Sequence, residues 1–235
     1  MTINERGPEG DRSYAAVRDR LSMPLDEAMM TQRAVRKVLP DDVDDDIVLR
    51  CIELALKAPT GSNGQNWEFV VVRDTATKAA FARQYRRMWS IYGGIGDRLK
   101  GDNPAMAKVL GAVAWQVEHF EEIPVVVVPC LVGPMRFVPT TVGQSSHYGS
   151  IYPSVQNLLL AARAMGLGAS LITLPLWSQT VSRKVLGLPF NVHPVCMVPL
   201  GWPRGRYGPT TRKPVGDVVH LDRYGSRPWR GHTPD

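Results

Sequence analysis

Apolar side chains recur along this chain in two rhythms, and the switches between them mark its elements. Met106, Val109, Leu110, Val113, Val117 and Phe120 return at three- and four-residue intervals, which predicts an amphipathic helix from Pro104. Ile151 to Met165 is patterned the same way and closes on Gly166-Leu167-Gly168, where a helix C-terminus favours glycine. Further helices are predicted from Pro24 or Leu25 to about Gln32, from Thr75 to Trp89 and from Trp177 to Leu186. The acids Asp41, Asp42, Asp44, Asp45 and Asp46 precede Ile47, Ile52, Leu54 and Ala55. Carboxylates in a first turn complement the helix dipole, so this run reads as a helix start and not as a metal site.

The strand rhythm appears in four places. Trp67 to Val72 is β-branched and aromatic; Val125 to Val132 is apolar almost throughout, as in a strand buried on both faces. Ala169 to Leu174 is a short strand or extended turn, and Val195 to Leu200 is a core strand ended by Gly201-Trp202-Pro203. Ser90 to Asn103 and Gly133 to Ser150 read as loops, the second long enough for a lid or binding loop. Residues 1–23 form a weakly patterned extension, and 24–205 a single domain followed by an arm over 206–235. Helices and strands alternate irregularly, which predicts a mixed sheet between helical layers. No G-x-G-x-x-G stands between an early strand and helix, so a dinucleotide-binding Rossmann domain is disfavoured.

Composition narrows the function. At 235 residues, with 44% hydrophobic and 21% charged residues, the chain is an ordinary soluble domain able to bury a core. Its longest apolar run is far too short to span a bilayer, and the polar N-terminus lacks a secretory signal. Cys51, Cys130 and Cys196 are widely spaced on apolar segments and read as reduced core thiols of a cytoplasmic protein. The histidines show no metal-ligand spacing. The net charge of +6 gathers near the C-terminus, at Arg204, Arg206, Arg212, Lys213, Arg223, Arg227 and Arg230, where it can attract a phosphate. No aromatic-interleaved basic strand or helix-turn-helix supports nucleic acid. No hydrolytic constellation or P-loop stands out, so that, if the chain is an enzyme, a bound cofactor carries the chemistry.

The richest stretch is A-P-T-G-S-N-G-Q-N-W-E-F, from Ala58 to Phe69. Proline and two glycines allow tight turns and close approach to a ligand, while Thr60, Ser62, Asn63, Gln65 and Asn66 offer uncharged donors and acceptors. Such a loop suits a flat ligand rich in carbonyls and ring nitrogens. It serves equally as a solvated connection between helix and strand.

Four segments in order resemble the FMN-dependent nitroreductase family. T-Q-R-A-V-R-K-V from Thr31 is similar to that family's R-R-S-x-R-x-F, and the Ala58–Phe69 loop to its A-P-S-x-x-N-x-Q-P-W-x-F. S-V-Q-N-L-L-L-A-A-R-A-M-G-L-G-A-S-L-I-T from Ser154 resembles its Q-N-L-L-L-A-A helix and following strand. V-P-L-G-W-P from Val198 and T-R-K-P from Thr211 resemble its closing strand and R-x-P. The resemblance implies an α+β fold: a three-layer αβα sandwich around a mixed, mainly antiparallel sheet, in an intertwined homodimer whose C-terminal arm completes the flavin site and wraps the partner.

The resemblance also implies site residues. Gln32, Arg33, Ala34, Arg36 and Arg212 take the positions around the FMN phosphate, where guanidinium groups suit a dianion. Pro59, Thr60, Gly61, Asn63 and Gln65 would line the isoalloxazine, and Leu171, Ile172, Thr173 and Leu174 would pass beside the ring. His147 and Tyr148 would shape substrate choice, and Arg204 or Arg206 would meet NADPH. The implied reaction is ping-pong: NADPH or NADH passes hydride to flavin N5 and leaves, and a nitroaromatic or quinone then takes the electrons. Reductive dehalogenase, flavin-fragmenting enzyme and non-catalytic flavin-binding protein are the alternatives. Four positions depart from the family: Gln32 replaces an arginine, Ala34 a serine, Asn66 a proline, and Thr173 the glutamate of some members.

Overall fold

The computed structural model describes residues 11–133 and 141–232. Strand β1 (Trp67–Val72) pairs antiparallel over its full length with strand β2 (Val125–Val132), from Trp67 opposite Leu131 to Val72 opposite Val126. Strand β3 is only Gly168–Ala169; of the run expected from Val195 to Leu200 only the end is strand, in β5 (Val198–Gly201), and a further strand, β4 (Val192–Pro194), precedes it. The sheet order is β1-β2-β5-β3, with β4 also on β2. All these pairs are antiparallel; the parallel contribution is an isolated bridge between Ala34 and Ala169.

The division of β4 from β5 has a cause in β2. Cys130 faces Pro194 and Val127 faces Val198, so residues 195–197 stand against two residues of β2. That one-residue excess is a bulge, and it falls beside Pro129, which has no N–H to give to a ladder. The Val195 N–H still reaches the Pro129 carbonyl at 2.9 Å.

Alternation along β2 builds the three layers. Val125, Val127 and Leu131 join one core with Ile47, Cys51, Val155, Leu158 and Ala162. These belong to helix α3 (Asp45–Ala55) and helix α7 (Tyr152–Ala164). Val126, Val128 and Cys130 face the opposite core, with Phe81, Tyr85 and Val117 from helices α4 (Thr75–Lys100) and α5 (Pro104–Glu118). A period of two sends successive side chains to opposite faces, so a nearly continuous apolar strand serves both cores.

Before α3 come two short helices, α1 (Tyr14–Val17) and α2 (Leu25–Thr31); Val17 is fully buried against α3 and α7. The acid run opens α3, with Asp44 accepting the Asp46 N–H and also that of Tyr14. Arg73 at the end of β1 donates to Asp42, Asp45 and the Val43 carbonyl. No group of metal-ligating side chains occurs among the described residues.

Two expected loops are helical. Helix α4 runs eleven residues past Trp89, to Lys100. Gly96 in that stretch serves contact instead of ending the helix, since a Cβ there would stand 2.9 Å from Leu110 of α5; the helix ends at Gly101, with φ of 47°. Helix α6 (Thr141–Gly149) occupies the end of the Gly133–Ser150 stretch and buries none of its side chains, so no apolar rhythm announces it. Residues 134–140 of that stretch lie outside the described residues, as do 1–10 and 233–235 of the two chain ends. The last helix, α8 (Gln179–Leu186), starts on the Ser178 hydroxyl and stops at Gly187, whose φ of 65° suits only glycine well. No described helix is long and apolar enough to cross a membrane.

Candidate functional site

The sequence-predicted residues fall into two groups at opposite edges of the sheet. The first surrounds the segment after α2. Ala34 bridges Ala169 of β3, and the Val35 N–H donates to the Ala169 carbonyl at 2.9 Å. Farther on, Val38 bridges Pro203, and the Leu39 N–H reaches the Trp202 carbonyl at 2.7 Å. This packing explains two glycines. A Cβ on Gly168 would lie 2.6 Å from Val35 Cγ1, and one on Gly201 would lie 2.9 Å from Val38. Only bare backbone lets the arginine-bearing segment approach the sheet so closely.

Arg33 is exposed and Arg36 half-buried at this edge. Burial lowers the Arg36 pKa, opposed by nearby Tyr85, and its Nε is buried without a hydrogen-bond partner. A charged donor left so is costly unless something accepts from the guanidinium. Beside it runs a buried polar chain that sequence reasoning missed. The Tyr85 hydroxyl lies 3.4 Å from Gln116 Oε1, and Gln116 Nε2 donates to Ser170 Oγ at 2.9 Å. Burial pushes the Tyr85 hydroxyl up to about 12, so it stays protonated.

Ser170 leads into residues 171–174. Ile172 is buried and exchanges both backbone hydrogen bonds with Met197, at 2.9 and 2.8 Å. Leu171 and Thr173, on either side, are exposed. Leu174 then opens a tight turn to Leu176 that packs into the core beneath. Arg204 and the chain after it belong to the same group. The Arg204 N–H donates to the Lys37 carbonyl and its Nε to that of Val38, both at 3.0 Å, while its guanidinium lies over Trp115. Arg206 is exposed. The Thr210 N–H and hydroxyl both donate to the Met30 carbonyl, which brings the Arg212 stretch to the end of α2 beside Arg33. Arg212 itself is exposed and donates to the Thr211 carbonyl.

The second group is the loop ahead of β1. Ser62, Asn63 and Gln65 hold φ of 52°, 51° and 48°. Asparagine tolerates the left-handed region, but serine and glutamine carry a cost there. The fold is kept by local bonds: Asn63 N–H to the Thr60 carbonyl at 3.0 Å, Gln65 N–H to Thr60 Oγ1 at 3.1 Å. As a result Pro59, Gly61, Asn63 and Gln65 are exposed, with Thr60 half-buried beneath them. Gly61 N–H donates to Ser150 Oγ, which in turn donates to the Ser146 carbonyl of α6. Helix α6 thereby joins this group and carries His147 and Tyr148, packed edge-on at 5.3 Å.

Trp67 opens β1 at one edge, and Ala169 with Thr173 marks the other. Three interstrand spacings lie between β1 and β3, about 14 Å. Within one chain the loop and the arginines therefore stand at opposite edges of the sheet. The cysteines take no part: burial raises Cys51, Cys130 and Cys196 to about 12, which leaves them inert as nucleophiles.

An extended αβα sandwich with arginines along one sheet edge and an amide-rich turn at the other is the architecture of one class. Residues 29–202 match the Nitroreductase family, and this chain belongs to it. A Thermus thermophilus protein named NADH dehydrogenase is 28% identical over 204 residues, covering 82% of this chain and 93% of its own. The 5,6-dimethylbenzimidazole synthase of Rhodospirillum rubrum is 27% identical over 208 residues, or 87% and 90% of the two chains. Among solved structures, oxidized iodotyrosine deiodinase bound to FMN and 3-iodo-L-tyrosine aligns at a TM-score of 0.64 and 19% identity. That alignment spans 86% of this chain and 100% of the other, and at such identity it shows the fold alone.

Proposed function

We propose that this protein is an FMN-dependent NAD(P)H oxidoreductase acting on nitroaromatic or quinone-like acceptors. The observation that carries the reading is the buried, unpartnered Nε of Arg36. Arg33 stands three residues before it, and Tyr85 beside it leads through Gln116 to Ser170, next to the Leu171–Thr173 edge. A fully apolar ligand would leave the guanidinium unanswered, whereas a pyrimidinedione carbonyl or a phosphate oxygen would accept from it. Bound FMN would supply hydride transfer at N5.

The chain's own residues would do the positioning. Arg33, Arg36 and Arg212 would neutralise the phosphate. Leu171 and Thr173 present an apolar and a hydroxyl contact from a strand held rigid through Ile172 and Met197. The second half-site, with Asn63, Gln65, His147 and Tyr148, closes over the same ligand from another copy of the chain, which makes the working unit a homodimer. No side chain here is placed as an acid–base pair.

The visible spectrum of the purified protein tests this. A yellow protein that bleaches on anaerobic NADPH or NADH, and recolours with a nitroaromatic, is the expected result. A flavin spectrum indifferent to both nucleotides would reduce the reading to a flavin-binding protein. A colourless protein that FMN cannot reconstitute would overturn it. Reoxidation by an iodotyrosine but by no nitroaromatic or quinone would move the activity toward that of the deiodinase, and formation of 5,6-dimethylbenzimidazole toward that of the synthase.

A further inference from the structure

Helix α7 buries a guanidinium that the reading above leaves unused. Arg163 is 6% exposed in an otherwise apolar helix, between Ala162 and Ala164. Its charge is met by two neighbours far away in sequence. The guanidinium carbon sits 3.9 Å from the centre of the Tyr207 ring, and Nε donates to Thr31 Oγ1 at 2.8 Å. The Thr31 hydroxyl in turn donates to the Glu27 carbonyl at 2.6 Å. Burial lowers the Arg163 pKa, and the fields of Tyr207 and Glu27 oppose that shift.

The two partners stand at telling places. Thr31 is the last residue of α2, directly before Gln32 and Arg33. Tyr207 is 5% exposed and opens the C-terminal stretch that carries Arg212. Between them the chains touch again: Thr210 donates twice to Met30, and a Cβ on Gly208 would lie 3.9 Å from Arg33 Nη1. Two cationic segments held side by side repel each other, so something other than their own charges must hold them. The Arg163 guanidinium bridges both, through the ring face on one side and the hydroxyl on the other.

We infer that Arg163, Tyr207 and Thr31 form a clasp that sets the spacing of Arg33 and Arg212 for a phosphate monoester, with Arg163 as a positioning residue. This rests on the proposed FMN site. The clasp acts on the phosphate end alone, so it separates FMN from riboflavin, which has the same ring and no phosphate.

The test compares FMN and riboflavin dissociation constants, by flavin fluorescence, for the full-length protein and three variants. Tyr207→Leu removes the π face and Arg163→Lys removes the planar fork; each should weaken FMN about tenfold and leave riboflavin unchanged. Tyr207→Phe keeps the ring and should bind FMN as the wild type does. Thermal melts show whether each variant folds; should Tyr207→Leu fail, Arg163→Lys carries the comparison. Parallel losses for FMN and riboflavin, or an unchanged preference in both Tyr207→Leu and Arg163→Lys, would overturn the clasp while leaving the flavin site standing. A wild-type protein that takes up neither flavin overturns the proposed function and removes the ligand on which the clasp depends.

Discussion

His193 shows how one ring fixes its own protonation state. Arg183 carries only donors, so at 3.1 Å the His193 Nδ1 must accept from it. Nε2 then bears the proton and donates to the Gly133 carbonyl at 3.2 Å. A second proton would set two donors head to head. Burial foremost, and then Arg183 and His147, hold the pKa below its ordinary 6.5, against the Gly133 bond that raises it. The unfolded chain therefore binds more protons than the folded one as pH falls below about 6.5. The stability contributed is complete above that pH and is lost on approach to the lower folded value. Urea midpoints should decline as the pH falls below about 6.5, and His193→Gln should flatten that decline. An equal decline in wild type and variant would assign the pH dependence to other groups.

At the scale of elements, sequence periodicity read most of the helices and strands correctly, and its errors have physical causes. Residues such as Ile47, Cys51 and Leu158 carry a rhythm because one face is buried. Helix α6 buries nothing and so is silent in sequence. Gly96 looks like a breaker and is instead the floor under Leu110, a tertiary fact no local pattern contains. The arginine segment was legible as a motif, but its attachment to β3 was not, because only the fold brings residue 35 to residue 168. Arg163 gave a signal that went unused: a charge inside Leu-Leu-Leu-Ala-Ala-Arg-Ala-Met. The attachment makes its own prediction. Gly168→Ala sets a methyl 2.6 Å from Val35 Cγ1, and such overpacking costs about 1–3 kcal/mol. It should lower the denaturant midpoint and weaken FMN retention together, since the segment it pushes on carries Arg33 and Arg36. Pairing it with Val35→Ala vacates that space and should restore part of both. A double variant no better than Gly168→Ala would show that the crowding lies elsewhere.

For the whole molecule, the sheet order bears on whether the proposed flavin site draws on one chain or on two. The order β1-β2-β5-β3 sets the Pro59–Gln65 loop at one edge and the Ala34–Ala169 bridge at the other. A twofold axis that brings one edge against the other generates two identical composite sites, each taking arginines from one copy and the amide loop from its partner. Mixed dimers distinguish this from a site built within one chain. Arg33→Glu sets a carboxylate against the phosphate, and Asn63→Arg fills the loop with a long cation; each homodimer should retain little FMN because both its sites are damaged. In a dimer of one Arg33→Glu chain and one Asn63→Arg chain, both lesions fall in the same composite site, and the other site is intact. Differently tagged, co-expressed and purified through both tags, that mixed dimer should hold about one FMN for its two chains, counted from flavin and protein absorbance. A site built within one chain gives a lesion in each, so the mixed dimer would be as empty as its parents. Full occupancy in either parental homodimer would remove that residue from the site altogether.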